Sequence, residues 1–215
     1  MTFPFIYNVG RQSDADVVIT EVGGTTGDIE SQPFLEAIRQ VGLEVGRENS
    51  LYIHVTLVPY LRGSEEHKTK PTQHSVKELQ GMGIAPDIIV LRCDEPLEES
   101  IFKKIAMFCN VPEDCVIENM TIPTLYEAPM MLEKNHFSDI VCRELGIAAR
   151  PCDMRDWEAM LERIALIHFS YISITKISLL VSKKNPQDNS VLQEVLFSCS
   201  GCTMIRFALL CNLIS

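Results

Sequence analysis

Two short segments of this chain gather residue types suited to phosphate and metal chemistry. The first, Glu21–Glu30, holds three glycines and three carboxylates within ten residues. Glycine lets a backbone approach a ligand closely and adopt positive φ. Carboxylates can hold Mg²⁺, which prefers one or two protein carboxylates with phosphate and water, or can accept hydrogen bonds from ribose and base. By composition alone, a glycine-rich strand-to-helix turn with acids at the helix start is an equally good interpretation.

The second segment, Lys68–Gln73, offers two cations, two hydroxyls and an amide just before a predicted helix. Helix N-termini attract anions, and lysine supplies a suitable charge for phosphate. A solvated surface loop is the more common interpretation of such a composition. Lys103 and Lys104 follow on a later predicted helix. Neighbours on a helix diverge by about 100°, so one lysine at most can face a phosphate.

The two segments lie within a pattern of alternating predicted strands and helices, which determines their positions. Apolar runs and helical spacing predict strands at 16–21, 51–61, 87–92 and 115–117, and helices at 33–45, 73–82, 98–109 and 125–145. This alternation predicts an α/β fold with a parallel sheet flanked by helices. Ligands of such sheets bind beyond the carboxyl ends of the strands. Glu21 and the loop after it lie at such an end, as do residues Arg92–Glu95.

Composition narrows the class of partner. The 215 residues are 46% hydrophobic and carry a formal net charge of −10, which argues against nucleic acid as a partner. Eight cysteines without a framework of spacings, and an N-terminus without a basic-then-apolar leader, favour a cytoplasmic protein with reduced thiols. The apolar stretch Ile164–Val181 is too interrupted by polar residues to predict a membrane helix, so no membrane partner is expected.

Several longer segments of the sequence resemble a known protein family. They are Val17–Gln40, His54–Tyr60, Lys68–Leu79, Gly83–Ile89, Lys104–Pro112 and Leu125–Pro129. In this order they resemble the CTP synthases, over roughly Phe5 to Ile164. The resemblance implies a Rossmann-like amidoligase domain of the phosphate-loop type. It also implies a carbon–nitrogen ligase of pyrimidine biosynthesis that phosphorylates O4 of UTP with ATP and aminates it to CTP, using ammonia from glutamine. Homotetramers are expected in this family.

The resemblance implies roles for the matching residues, none of them catalytic. Glu21 is similar to a Mg²⁺ ligand near the ATP phosphates, so Mg²⁺ and ATP are the expected cofactors. Lys104 matches a further lysine at the nucleotide phosphates, and Ile122 falls near the position that lines the adenine pocket. The other matches are to residues that contact UTP, or CTP as feedback inhibitor: Asp28, Ile29, Glu30, Lys68, Thr69, Lys70, Pro71, Thr72 and Gln73.

The chain also departs from the family pattern. Neither the first strand with its phosphate loop and Mg²⁺-binding aspartate nor the glutaminase domain is found in the sequence. We therefore expect 1–164 to be a partial amidoligase domain, incomplete at the N-terminus, inactive alone and with a gap or exposed edge in its sheet. Residues 165–215 form a divergent tail. The alternatives are a non-catalytic nucleotide-binding or interaction module and the product of an interrupted gene.

Overall fold

A computed structural model describes residues 3–13, 15–166 and 207–212 of the chain. Strands and helices alternate along most of it, as the sequence predicts. The helices are α1 (Phe3–Ser13), α2 (Gln32–Val45), α3 (Lys70–Gly81), α4 (Glu99–Cys109), α5 (Ala128–Lys134), α6 (Phe137–Glu144) and α7 (155–166). The strands are β1 (Val17–Val22), β2 (Ser50–Leu57), β3 (Tyr60–Leu61), β4 (Glu66–His67), β5 (Ile88–Cys93), β6 (Val116–Met120) and β7 (Phe207–Asn212).

Within the described residues, the main sheet has the strand order β1-β7-β2-β5-β6. Strands β2, β5 and β6 pair in parallel, which confirms the predicted α/β fold with a parallel sheet. Strand β7 pairs antiparallel with both β1 and β2, so β1 runs in the same direction as β2. The carboxyl ends of β1, β2, β5 and β6 therefore share one edge of the sheet, called here the carboxyl edge.

The antiparallel strand β7 corrects one expectation. The sequence predicts a gap or an exposed edge in the sheet. The gap is not found, because the tail residues 207–212 lie between β1 and β2 and pair with both, while β1 and β6 are the end strands of the described sheet. An apolar run of strand length can satisfy two open strand edges at once, and this removes the unpaired backbone groups that a gap would leave. The sheet is consequently mixed rather than wholly parallel.

Helices cover both faces of the sheet, and the central strand β5 shows why. Its side chains alternate between the faces, as they must in a strand. Ile88 and Val90 pack in one core with residues of α5 and α6, such as Ile140. Ile89 and Leu91 pack in another core with residues of α3 and α4. A third core joins α1 and α2 to β1, β2 and α3. These layers hold the carboxyl edge in place.

Several element boundaries differ from the sequence prediction. Helix α3 begins at Lys70 rather than Gln73, because Pro71 occupies its first turn, where a missing N–H is tolerated. The helix predicted at 125–145 divides into α5 and α6 around His136, which has a φ of 57°. Helix α1 has no counterpart in the prediction.

The chain divides into two compact units. One holds the described residues up to Cys152 together with 207–212, and the described part of the other covers 153–166. The boundary predicted near residue 164 stays a prediction, because most of the tail 165–215 lies outside the described residues. In the part of the chain that the structure describes, no helix has the length and apolar character needed to cross a membrane.

Candidate functional site

The carboxyl edge gathers most of the residues predicted to bind nucleotide. Strand β1 ends with Glu21 and Val22 and leads into residues 23–28, called here the glycine loop. Strand β2 leads into residues 58–67, called here the hairpin because β3 and β4 pair within it. Lys68 follows the hairpin directly. Ile122 follows β6 and is half-buried. The direction of the strands thus brings distant parts of the sequence to one edge.

The glycine loop is held by its own hydrogen bonds. The backbone N–H of Thr25 donates to Oδ2 of Asp28 at 2.8 Å, and Asp28 N–H donates to Thr25 O at 3.0 Å. The Ser31 hydroxyl donates to Gly23 O at 3.2 Å. One oxygen of Asp28 is therefore engaged within the loop. The next residue, Ile29, has 81% of its surface exposed, which is unusual for an isoleucine and leaves it accessible to a ligand.

Gly27 places a specific demand on this loop, and we expect Gly27→Ala to destabilise the fold by about 1–2 kcal/mol, chiefly because of its positive φ. Its φ is +101°, and a Cβ there would lie 2.5 Å from Oε1 of Glu78 on α3. Gly23→Ala is the matched control, since its Cβ would meet nothing within 4 Å. Urea unfolding of both variants measures the difference. Equal losses of stability in the two variants would contradict the prediction that position 27 requires glycine.

The start of α3 is fixed to the end of β2. The Thr72 hydroxyl donates to Leu57 O at 3.1 Å. The same hydroxyl accepts a hydrogen bond from the Thr56 hydroxyl at 3.4 Å. The Gln73 side-chain amide donates to the Thr69 hydroxyl at 3.0 Å. Thr69 and Thr72 are both buried. Within the segment predicted to contact UTP, Thr72 holds the helix to the sheet, and Thr69 is bonded to Gln73 inside the segment.

The surface of the same segment is formed by other residues. Lys70 and Pro71 are exposed, and Lys68 has 41% of its side chain exposed. The segment therefore presents two lysines to solvent at the carboxyl edge. This separates the residues predicted for UTP contact into a buried supporting pair and an exposed cationic surface.

A buried histidine belongs to a hydrogen-bond chain that connects α3 with the glycine loop. The Nε2 atom of His54, on β2, lies 2.8 Å from the Ser75 hydroxyl on α3. That hydroxyl donates in turn to the Thr26 hydroxyl in the glycine loop, at 3.4 Å. His54 is fully buried, and burial lowers its pKa to about 4. Its imidazole is therefore neutral near pH 7, and it links β2, α3 and the glycine loop. No local pattern in the sequence predicts this connection.

Lys68 already has an anionic partner in the structure. Its Nζ lies 2.5 Å from Oε1 of Glu66 on β4. The pKa of Glu66 is lowered by its hydrogen bonds with Lys68 and Ser64, then by the charge of Lys68 and, more weakly, that of Lys104. The positive charges of Lys68 and Lys104 thus both act on the carboxylate of Glu66. Lys103, one residue earlier on α4, pairs instead with Glu99 on its own helix.

The glycine loop forms only a small concavity at the carboxyl edge. The glycine loop, with Val22 and Leu35, encloses only about 10 Å³. A larger concavity of about 520 Å³ lies elsewhere, around the C-terminal end of α4, where Met107 and Asn110 line it. Its size alone does not make it the candidate site, because none of the predicted nucleotide-binding residues line it.

A metal ion at this edge would need ligands beyond the protein. Among the described residues, no three His, Cys, Asp or Glu side chains lie close enough together to hold a metal. Glu21 offers an exposed carboxylate at the end of β1. One carboxylate is compatible with Mg²⁺ when nucleotide phosphates and water complete the coordination.

Known proteins match the part of the chain that contains the glycine loop and the hairpin. The family model described as the CTP synthase N-terminus matches residues 3–147. The CTP synthase of Ruminiclostridium cellulolyticum is 58% identical over 158 residues, which are 74% of this chain and 30% of that protein. The CTP synthase of Pelotomaculum thermopropionicum is 52% identical over 183 residues, or 85% of this chain and 33% of that protein. The chain spans about a third of the length of these relatives.

Proposed function

Because this chain belongs to the CTP synthase family, we propose that it carries the pyrimidine-nucleotide site used in the ATP-dependent amination of UTP to CTP. The observation that best supports the proposal is the meeting of two segments at the carboxyl edge. The glycine loop and the start of α3 come from separate parts of the sequence, and His54, Ser75 and Thr26 connect them. Ligands of parallel sheets bind at this edge.

The proposed division of labour follows from charge. Lys68, Lys70 and Lys104 offset the negative charge of the nucleotide phosphates, since ammonium groups are effective partners for phosphate oxygens. The glycine loop and the residues after it face the base and ribose, where carboxylates accept hydrogen bonds from hydroxyl and amino groups. The residues proposed to contact UTP or CTP are Asp28, Ile29, Glu30, Lys68, Lys70, Pro71, Gln73 and Lys104, and the buried Thr69 and Thr72 of the same predicted set are proposed to support them.

ATP and Mg²⁺ complete the proposal. Glu21 would hold Mg²⁺ at the end of β1, and Ile122, after β6, would contact the adenine of ATP. When bound, the metal supplies neutralisation of phosphate charge, which phosphoryl transfer requires. We also propose that the protein works in the cytoplasm as a homotetramer, as expected of the family.

Calorimetric titration with UTP and CTP tests the proposal. We expect both nucleotides to bind, and Lys68→Gln to weaken UTP binding by about tenfold or more, because it removes one charge-assisted hydrogen bond. Lys77→Gln is the matched control, since Lys77 is an exposed lysine on α3, the helix that follows Lys68. Absence of UTP and CTP binding, or equal weakening in the two variants, would refute the proposed site.

A further inference from the structure

The ion pair between Glu66 and Lys68 places a carboxylate where the proposed function places nucleotide phosphates. Glu66 and Lys68 flank the last residue of the hairpin. The Lys68 N–H donates to Pro59 O at 2.9 Å, which closes the hairpin. Glu66 is on β4, and its Oε1 lies 2.5 Å from Nζ of Lys68. A carboxylate oxygen and a phosphate oxygen are the same kind of partner for an ammonium group. They therefore compete for Lys68.

Lys104 extends this competition beyond one pair. Its positive charge also acts on Glu66, although α4 and the hairpin are separate elements. Glu66 thus lies within the field of two of the three lysines proposed to bind phosphates. It reduces the combined charge that these two lysines can offer to an incoming anion. A triphosphate would meet repulsion from Glu66 as well as attraction from the lysines.

The exposure of the pair makes the contact breakable. The side chains of Lys68 and Glu66 are 41% and 49% exposed. Exposed ion pairs are weak, since water and salt screen them and two long side chains lose freedom in forming them. A polyanionic ligand can therefore separate Glu66 from Lys68. The fold itself does not depend on this pair, because a backbone bond holds the hairpin and the buried Thr72 holds α3.

We propose that Glu66 is an internal competitor of the nucleotide phosphates, which occupies Lys68 in the free protein and lowers the affinity for polyphosphorylated nucleotides. This inference rests on the proposed nucleotide site. It assigns to Glu66 a role in setting both the affinity and its dependence on the number of phosphates. The contact is made before any ligand arrives, and the ligand must displace it.

Glu66→Gln tests the inference, with Glu65→Gln as the matched control. Both changes remove one negative charge and keep the shape of the side chain, and the two residues are adjacent in the hairpin. The difference is that Glu66 is paired with Lys68. Calorimetric titration of each full-length variant with UTP, UDP and uridine then separates the effect of the pair from that of net charge.

We expect Glu66→Gln to tighten UTP binding by about threefold to tenfold, UDP binding by less, and uridine binding not at all. The gain should shrink as salt rises from about 20 mM to about 500 mM, because surface charges are screened over shorter distances. Glu65→Gln should change UTP affinity by less than about twofold. Thermal melting of both variants verifies that the fold is intact.

The outcomes separate the two proposals. If the wild type binds UTP and Glu66→Gln does not tighten it, the internal competitor is refuted while the proposed site stands. An equal gain for Glu65→Gln, or for uridine, also refutes it, since the effect would then not depend on the pair or on phosphate. If neither the wild type nor Glu66→Gln binds any of the three ligands, the proposed site is refuted and this inference with it.

Discussion

Lowering the pH from 6.5 to 5 will cost the protein about 1.5 kcal/mol of folding stability through His54 alone. This histidine is fully buried, and burial lowers its pKa from 6.5 to about 4. Between these two values the unfolded chain binds a proton that the folded chain does not. Stability from this source is therefore complete above about pH 6.5 and falls as the pH drops towards 4.

Urea unfolding of the wild type and His54→Gln at several pH values measures this effect. Glutamine can still hydrogen-bond to Ser75 but does not titrate. The stability curves of the two proteins should converge as the pH falls from 6.5 to 5. His74→Gln, which changes an exposed histidine of α3, is the control. A wild type that loses no more stability than His54→Gln over this range would contradict the prediction.

Gly42→Ala should destabilise the protein by about 2–3 kcal/mol, although alanine normally favours a helix over glycine. Gly42 lies in α2 and packs against Tyr52 of β2. A Cβ at this position would lie 1.9 Å from the Tyr52 hydroxyl oxygen. That hydroxyl also donates to Ile38 O at 3.1 Å. Avoiding the overlap would move the ring and break this buried hydrogen bond.

Two comparisons test whether the cost of Gly42→Ala comes from the contact with Tyr52. Gly81→Ala, at the end of α3, should be neutral or stabilising, since its Cβ would meet nothing within 4 Å. In a Tyr52→Phe background, Gly42→Ala should cost about 1 kcal/mol less than in the wild type, because the closest atom is gone. Chemical denaturation of the four proteins of this cycle gives the coupling. A cost that is the same in both backgrounds would place the clash elsewhere.

Much of the fold follows from local patterns in the sequence. The apolar run 87–92 predicts a buried strand, and β5 is buried on both faces as a central parallel strand must be. The predicted placement of Glu21 with its following loop, and of Arg92–Glu95, at the carboxyl ends of strands agrees with the strand bounds and directions. Pro71 was a readable signal that α3 begins before Gln73. These features depend on neighbours in sequence, which a single chain reveals.

Other features depend on contacts between distant residues and carry no local signal. Nothing in the sequence around His54 indicates that it bonds to Ser75 and, through it, to the glycine loop. The Lys68–Gln73 segment resembles one continuous binding run, yet Thr72 is buried and bonded to the end of β2. Tertiary packing decides which side chain of such a segment faces the ligand and which supports it.

The position of β7 has a consequence for the order in which the protein is built. Its residues 207–212 separate β1 from β2, both of which leave the ribosome much earlier. At about 5–20 residues per second, the facing backbone groups of β1 and β2 wait roughly 10–30 s for their partner. During that time two open strand edges are available to any extended peptide nearby. The sheet is completed in its interior last, so the nascent chain is exposed to mispairing until the tail inserts.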